Sequence, residues 1–178
     1  NLNRGNFGTR LSYHRADSYA DLDATGSRAL DGLLAAATSF GRGDDFDIAG
    51  QTAQFLEAAG TWDNGDYAVV AEYTALRQES ESILDDNAFL VTGAKRFGTT
   101  TVHATYTTQR DLTEGDALQK ALKTNAQVHE QTYILGARYD YDTGTAFKFE
   151  VQYQDEKTIN GVDGKSGMLY SAAIDLVF

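Results

Sequence analysis

From Tyr133 to Asp155 the chain alternates with a period of two. Tyr133, Leu135, Ala137, Tyr139 and Tyr141 are apolar or aromatic, whereas Thr132, Gly136, Arg138 and Asp140 are mostly polar. After Asp142-Thr143-Gly144 the pattern resumes, with Phe147, Phe149, Val151 and Tyr153 set against Lys148, Glu150 and Gln152. Such alternation marks a strand with one apolar and one polar face. Two such runs joined by a short Gly-containing loop predict a hairpin. Three-residue loop geometry pairs Tyr141 with Thr145, Tyr139 with Phe147 and Leu135 with Val151, which puts both apolar sets on one face.

The same reasoning finds the other strands. A hairpin is predicted from about Gln54 to Leu76, turning at Asp63-Asn64-Gly65-Asp66 on the strongest short hairpin signal, Asn-Gly. A loop centred there pairs Trp62 with Tyr67, Gly60 with Val69, Ala58 with Ala71 and Leu56 with Tyr73, and sets Glu57 opposite Glu72. Another hairpin spans Ala88 to Arg110 and turns at Gly98-Thr99. Phe89, Val91, Gly93 and Phe97 share its apolar face with Val102, Ala104 and Tyr106. Lys95 interrupts that face near the turn, where a long side chain can snorkel. The first strand is predicted from about Asn6 to Arg15. The last runs from Gly167 to Phe178, with Met168, Tyr170, Ala172, Ile174, Leu176 and Phe178 on its apolar side. That makes eight strands.

The connections alternate in length. The turns at Asp63 to Asp66, Gly98 to Thr100 and Asp142 to Gly144 are tight. The segments Ala16 to Gln51, Gln78 to Asn87, Asp111 to Glu130 and Glu156 to Ser166 are longer and polar. An antiparallel up-and-down transmembrane β-barrel has this rhythm, with short periplasmic turns and long extracellular loops. The aromatics sort accordingly. Trp62, Tyr67, Phe97, Tyr139, Tyr141, Phe147 and Phe178 fall near the short turns. Tyr13, Tyr73, Phe89, Tyr106, Tyr133, Tyr153 and Tyr170 fall near the long loops. Two aromatic girdles around an apolar band are expected of such a barrel. The competing picture is the core of a soluble sandwich, but a dry core has no reason to sort its aromatics into two rings.

Residues 17–50 form the longest connection. Within it Ser27 to Phe40 has helical spacing: Ser27 is a good N-cap, Leu30, Leu33, Leu34 and Ala37 share a face, and Gly41 is a natural stop. Two placements of this helix are open, folded into the lumen or resting on the rim. Asp116 to Lys123 is a second short candidate helix.

Composition narrows the alternatives. The 178 residues contain no Cys and no Pro, which excludes disulfides, thiolate metal sites and a cysteine nucleophile. The net charge is −11, wrong for a nucleic-acid partner, whose phosphates demand clustered Lys and Arg. Mean hydropathy is −0.41 and no run reaches the roughly 18 apolar residues of a spanning helix. The opening residues show no basic n-region followed by an apolar core, so any secretory signal is expected to be already removed. Length suits a single domain, 1–178.

The closing strand Tyr170-Ser-Ala-Ala-Ile-Asp-Leu-Val-Phe178 resembles that of Gram-negative outer-membrane porins. Leu11-Ser-Tyr-His-Arg15, Gly32-Leu-Leu-Ala-Ala-Ala37 and Ala71-Glu-Tyr73 extend the resemblance to the C-terminal half of a general sixteen-stranded porin. The resemblance implies an integral outer-membrane channel for passive diffusion of small hydrophilic solutes and ions, without cofactor. It implies contact with outer-membrane lipid and lipopolysaccharide, and often a homotrimer. It makes Tyr170, Ile174, Leu176 and Phe178 the signal read by the barrel-assembly machinery. A full porin is about twice as long, so two forms are open: half of a larger barrel, or a complete, small closed eight-stranded barrel with a structural or adhesion role through its loops.

By alternation Arg10, His14, Glu57, Glu72, Arg96, His103, Arg138, Lys148, Glu150 and Asp175 line the lumen. This predicts an acidic wall at Glu57 and Glu72 and a basic wall at Arg138 and Lys148, which face each other across water in a wide barrel or meet at the centre as a paired network in an eight-stranded one. Rows of charge of this kind tune selectivity in pores; the bland alternative is that they only solvate or zip the interior. Ser12, His14 and His103 share the polar side but lack an acid at catalytic spacing, so no hydrolase is expected. No metal cluster or phosphate-cradling loop is expected either. The acidic groups Asp44, Asp45, Asp47, Asp85, Asp86, Asp111, Glu114 and Asp116 are read as solvated faces, with cation bridging to lipopolysaccharide as the alternative. A soluble barrel with an apolar pocket would instead fold without detergent.

Overall fold

A computed structural model describes residues 1–17, 28–112, 128–157 and 163–177. The chain forms one antiparallel sheet with strands in sequence order, β1 (Leu2–Arg4), β2 (Phe7–Asp17), β3 (Thr52–Asp63), β4 (Tyr67–Gln78), β5 (Asp85–Phe97), β6 (Thr100–Leu112), β7 (His129–Asp140), β8 (Thr145–Glu156) and β9 (Ser166–Leu176). The fold is thus all-β and up-and-down, as the alternation predicted. The sheet is open, with β1 along one edge and β9 along the other. β1 adds a ninth strand: the three residues Leu2 to Arg4 are too few to show a period, and they fold back on Phe7 to Thr9 through a turn at Gly5, whose φ is +59°. Among the described residues no helix is long and apolar enough to cross a membrane.

Register settles which residues share a face. From β2 to β9 the partners run without a slip or bulge, for example Arg10 to Ala59 to Glu72 to Leu90 to Thr107 to Thr132 to Gln154. The β7–β8 hairpin pairs Tyr139 with Phe147 and Leu135 with Val151, and the Tyr141 N–H donates to the Thr145 carbonyl, as predicted. The β5–β6 hairpin turns at Gly98-Thr99, again as predicted.

The β3–β4 hairpin departs from its prediction by two residues. Trp62 pairs with Val69, Gly60 with Ala71, Ala58 with Tyr73, and Glu57 with Thr74 rather than Glu72. The loop is centred on Gly65-Asp66 instead of Asn64-Gly65. Gly65 takes φ +94° at the first central position, which type II′ hairpins reserve for glycine. The Asn64 N–H donates to the Tyr67 carbonyl, and the Asn64 Oδ1 accepts from the N–H groups of Asp66 and Tyr67. Asn64 therefore serves as an acceptor beside the loop and not as a residue inside it. A shift of two keeps every side chain on its predicted face.

Apart from these strands there is almost no core. The only buried apolar residues among those described are Ala37, Phe46, Ala75 and Ala146. One face of the sheet carries Leu11, Leu135, Phe149 and Ile174, exposed by 60–73%. On that face Tyr73 pairs with Phe89, and Tyr106, Tyr133 and Tyr153 form a row with ring centroids 5.2 and 6.4 Å apart. A second row, including Tyr67, Phe97, Tyr139 and Phe147, follows the short turns. From Tyr67 to Tyr73 or from Phe97 to Phe89 the rows stand about 20–27 Å apart along the strand, at roughly 3.4 Å per residue.

Helix α1 (Arg28–Ser39) ends as its sequence predicted. Gly41 has φ +74°, its N–H donates to the Thr38 carbonyl, and the Arg42 N–H donates to the Ala37 carbonyl. This is the Schellman arrangement. An unforeseen short helix, α2 (Gly43–Phe46), packs against α1 and on the 79–84 connection. Phe46 is fully buried, the Ser80 hydroxyl donates to its carbonyl, and Arg42 pairs with both Asp45 and Glu81. These contacts hold the end of the long connection against the loop between β4 and β5. That β4–β5 loop is shorter than predicted, because both strands continue past Leu76 and before Ala88. Ser27, the side chains of Leu30 and Leu33, Glu114, the Asp116–Lys123 segment and Phe178 lie outside the described residues.

Replacing Gly65 with alanine forces a Cβ into the left-handed region with no contact to compensate. Gly65→Ala is expected to destabilise the protein by about 1–2 kcal/mol in equilibrium unfolding, without loss of strand content by circular dichroism.

Candidate functional site

Continuous register places all ten predicted charges on one face. Arg10 and His14 come from β2, Glu57 from β3, Glu72 from β4, Arg96 from β5, and His103 from β6. Arg138 comes from β7, Lys148 and Glu150 from β8, and Asp175 from β9. Tyr139, Val151 and Ile174 lie on the opposite, apolar side.

How these charges meet was not foreseen. Strands two apart are separated by about 9.5 Å, yet three ion pairs and one histidine–carboxylate contact skip a strand. Arg10 on β2 bonds Glu57 on β3 and also reaches Glu72 on β4 at 3.1 Å. Between Arg10 and Glu72 stands Ala59. Arg96 on β5 grips Asp63 on β3 with two bonds of 2.8 and 2.7 Å, passing the side of β4 that carries Ala68. His103 Nε2 on β6 lies 3.4 Å from Glu150 Oε1 on β8, with Gly136 of β7 between them. Arg138 on β7 bonds Asp140 at 2.7 Å and Asp175 on β9 at 3.1 Å; the residue of β8 opposite both aspartates is the buried Ala146.

In every case a small residue on the middle strand leaves room for the long side chain above it. Gly136 shows the need most sharply, since a β-carbon there would overlap the His103 ring and press on Glu150 Cγ at 3.0 Å. Large apolar side chains on the far side are exposed by up to 79%, and the paired polar side chains range from 15% exposed at Glu57 to 52% at Arg10.

These contacts correct the two-wall picture. Glu57 and Glu72 are not directly opposed: each is bonded to Arg10, and Ser12 Oγ donates to Glu57 Oε2 at 2.9 Å. Arg138 and Lys148 are opposed as predicted, but Asp175 sits between them, 3.1 and 2.7 Å from their nitrogens. The walls are therefore neutralised locally, strand by strand. Like charges directly across a strand pair are unfavourable, and the intervening counter-charge removes that cost.

His14 lies beside Phe55, ring centroids 6.3 Å apart, away from the ion pairs. Asp63 and Asp140 belong to the network although neither is counted among the predicted lumen charges: Asp63 reads as a turn residue, and Asp140 is placed on the polar side of its strand but not carried into the set. Carrying the alternation one step further along β3 would have found Asp63. A neutral track accompanies the charges: Thr92 and Thr105 hydroxyls bond at 2.8 Å, and Gln154 donates to Glu130 at 2.7 Å.

At the other end of the strands the predicted acidic groups are engaged within the protein. Asp45 pairs with Arg42, Asp85 Oδ1 accepts from the Gln78 N–H, Asp86 accepts from Gln109, and Asp111 accepts from the Val128 N–H. Asp47 accepts from the Ala49 N–H. Among the described residues no group of three or more His, Asp or Glu is placed to hold a metal ion.

Gly136→Ala is expected to turn the His103 ring away and separate it from Glu150, at a cost of no more than about 1 kcal/mol because the pair is half-exposed. Loss of contacts between the His103 ring and Glu150 in a structure of the variant, with β6–β8 register unchanged, checks this. No family model, curated protein or solved structure matches the chain.

Proposed function

We propose that this chain forms the wall of an outer-membrane β-barrel channel of the porin type, through which small hydrophilic solutes and ions diffuse passively. The observation that carries the reading is the inverted sheet. Its apolar face is broad, aromatic-rimmed and uncovered among the described residues, while on its charged face side chains bond across an intervening strand. A soluble sheet buries its apolar face against a second layer. Here the described residues provide no such layer. A lipid environment would receive the face instead, and the spacing of the aromatic rows approaches the ~25 Å apolar band of such barrels.

The short turns at 5–6, 64–66, 98–99 and 141–144 all lie at one end of the sheet, which the reading assigns to the periplasmic side. The long connections, with α1 and α2, lie outside. Hydrocarbon tolerates no unpaired strand edge. The channel reading therefore requires further strands to pair β1 and β9, as a sixteen-stranded porin would provide. The smaller closed barrel with an adhesive role would instead pair β9 with β2, and the separate edges weigh against it. The porin-like closing strand from Tyr170 onward adds the assembly signal.

Within the channel the strand-skipping ion pairs act as rungs along the wall. They hold the guanidinium and carboxylate groups at fixed heights, so a passing solute meets ordered donors and acceptors. The acidic groups Glu57, Asp63, Glu72, Asp140, Glu150 and Asp175 outnumber Arg10, Arg96, Arg138 and Lys148, which favours cations along this wall.

Three outcomes test the proposal. Full-length protein in planar bilayers is expected to give stepwise, ohmic current; inserted protein without current would favour the adhesive barrel. Glu57→Gln combined with Glu72→Gln is expected to move the reversal potential under a salt gradient toward the anion side. Leu135→Arg, on the apolar face, is expected to destabilise the inserted protein by about 2–4 kcal/mol, whereas Gln152→Arg on the polar face changes stability little.

A further inference from the structure

The apolar face is not uniform, and one place on it combines a charge with a groove. Lys95 lies on this face near the short turns, where its register neighbours are Tyr67 and Val102. Its Nζ sits 5.1 Å from the Tyr67 ring centroid and 4.7 Å from that of Phe97. It forms no ion pair among the described residues. Arg4, paired with Phe7 on the edge strand β1, is also at the short-turn end of this face, whereas Arg15, Arg77, Arg110 and Asp155 lie toward the opposite end of the strands.

Directly beside Lys95 a groove of ≈ 590 Å³ opens between Trp62, Tyr67 and Val69 on one side and Val102 and Leu135 on the other. Its floor is Gly93 and Ala104, which face each other across β5 and β6. A β-carbon at position 93 would meet nothing within 4 Å, so the space above it is open. The groove runs from the lysine up into the apolar band.

We propose that this groove holds one acyl chain of an anionic glycerophospholipid, with the lipid phosphate on the Lys95 ammonium. The inference rests on the membrane-spanning reading above. An ammonium at the boundary of an apolar band needs a counter-charge, and at that depth a bilayer offers lipid phosphate. The two aromatic rings hold the ammonium at the surface of the sheet by cation–π attraction. The apolar channel next to it has room for a hydrocarbon chain and no polar group to satisfy. A second copy of the chain would need a carboxylate opposite Lys95; a lipid brings the anion and the chain together.

Trp62, the single tryptophan of these 178 residues, borders the groove and reports on it. The full-length protein is reconstituted in phosphatidylcholine doped with acyl-dibrominated phosphatidylglycerol or, separately, acyl-dibrominated phosphatidylcholine. Quenching is measured against a Trp62→Phe background. The proposal expects the anionic lipid to quench Trp62 with about fivefold higher apparent affinity, the order of one interfacial lysine's attraction to anionic lipid. Lys95→Gln removes that preference. Gly93→Leu, which fills the groove, lowers quenching by both lipids. Equal quenching by the two headgroups in the unmodified protein, or a preference that survives Lys95→Gln, overturns the proposal. Unquenched Trp62 in protein that still conducts also overturns it, since the face is then covered by another protein surface. Unquenched Trp62 in protein that neither inserts nor conducts brings down the membrane reading itself.

Discussion

Cross-strand register is the constraint on which the rest of this molecule depends. Eight long strands pair edge to edge without a bulge, and each carries side chains to alternate faces. A slip of one residue in any pair would bring Leu135 beside His103 and Lys148 among the tyrosines. With no buried core to resist such a slip, the penalty comes from the faces themselves. Charges would enter the apolar band, and the aromatic rows would break. The turns guard the register locally. Gly65 and Gly98 adopt positive φ, and Asn64 and Asp142 side chains accept turn N–H groups.

The polar face has its own packing rule. Arg10, Arg96, His103 and Arg138 each bond a carboxylate two strands away, and Ala59, Ala68, Gly136 and Ala146 make the passage possible. A small residue in the centre of a strand normally costs packing and propensity. Here its smallness is what lets a charge be paired rather than left facing a like neighbour. The same rule shapes function in the proposed channel, because it converts two opposed walls into a series of locally neutral rungs with a modest acidic excess. The apolar face uses small residues differently. Gly93 and Ala104 leave a depression beside Lys95, a charge that this face carries near the short turns.

The loop-side structure follows a separate logic. α1 ends in a Schellman turn, α2 follows at once, and Phe46 supplies the one large, fully buried apolar side chain among the described residues. Arg42, Glu81 and Ser80 then fasten this small cluster to the connection between β4 and β5. It is a local core independent of the sheet's two faces.

Much of this was legible in the sequence, because period-two alternation is a local property. Faces, the two aromatic rows, the hairpins at Gly98 and Asp142, the helix stop at Gly41 and the ten charges on one face all follow from counting residues. Three things needed the folded chain. Whether Asn64 sits inside its turn or beside it depends on side-chain hydrogen bonds that either register allows, so the β3–β4 pairing moved by two residues. The ion pairs depend on long side chains reaching past a small residue of the intervening strand, which is invisible to any pairwise reading of neighbours. The openness of the sheet is a relation between its two most distant strands. Alternation dictates which way each side chain points, but only the assembled sheet decides which of those side chains meet.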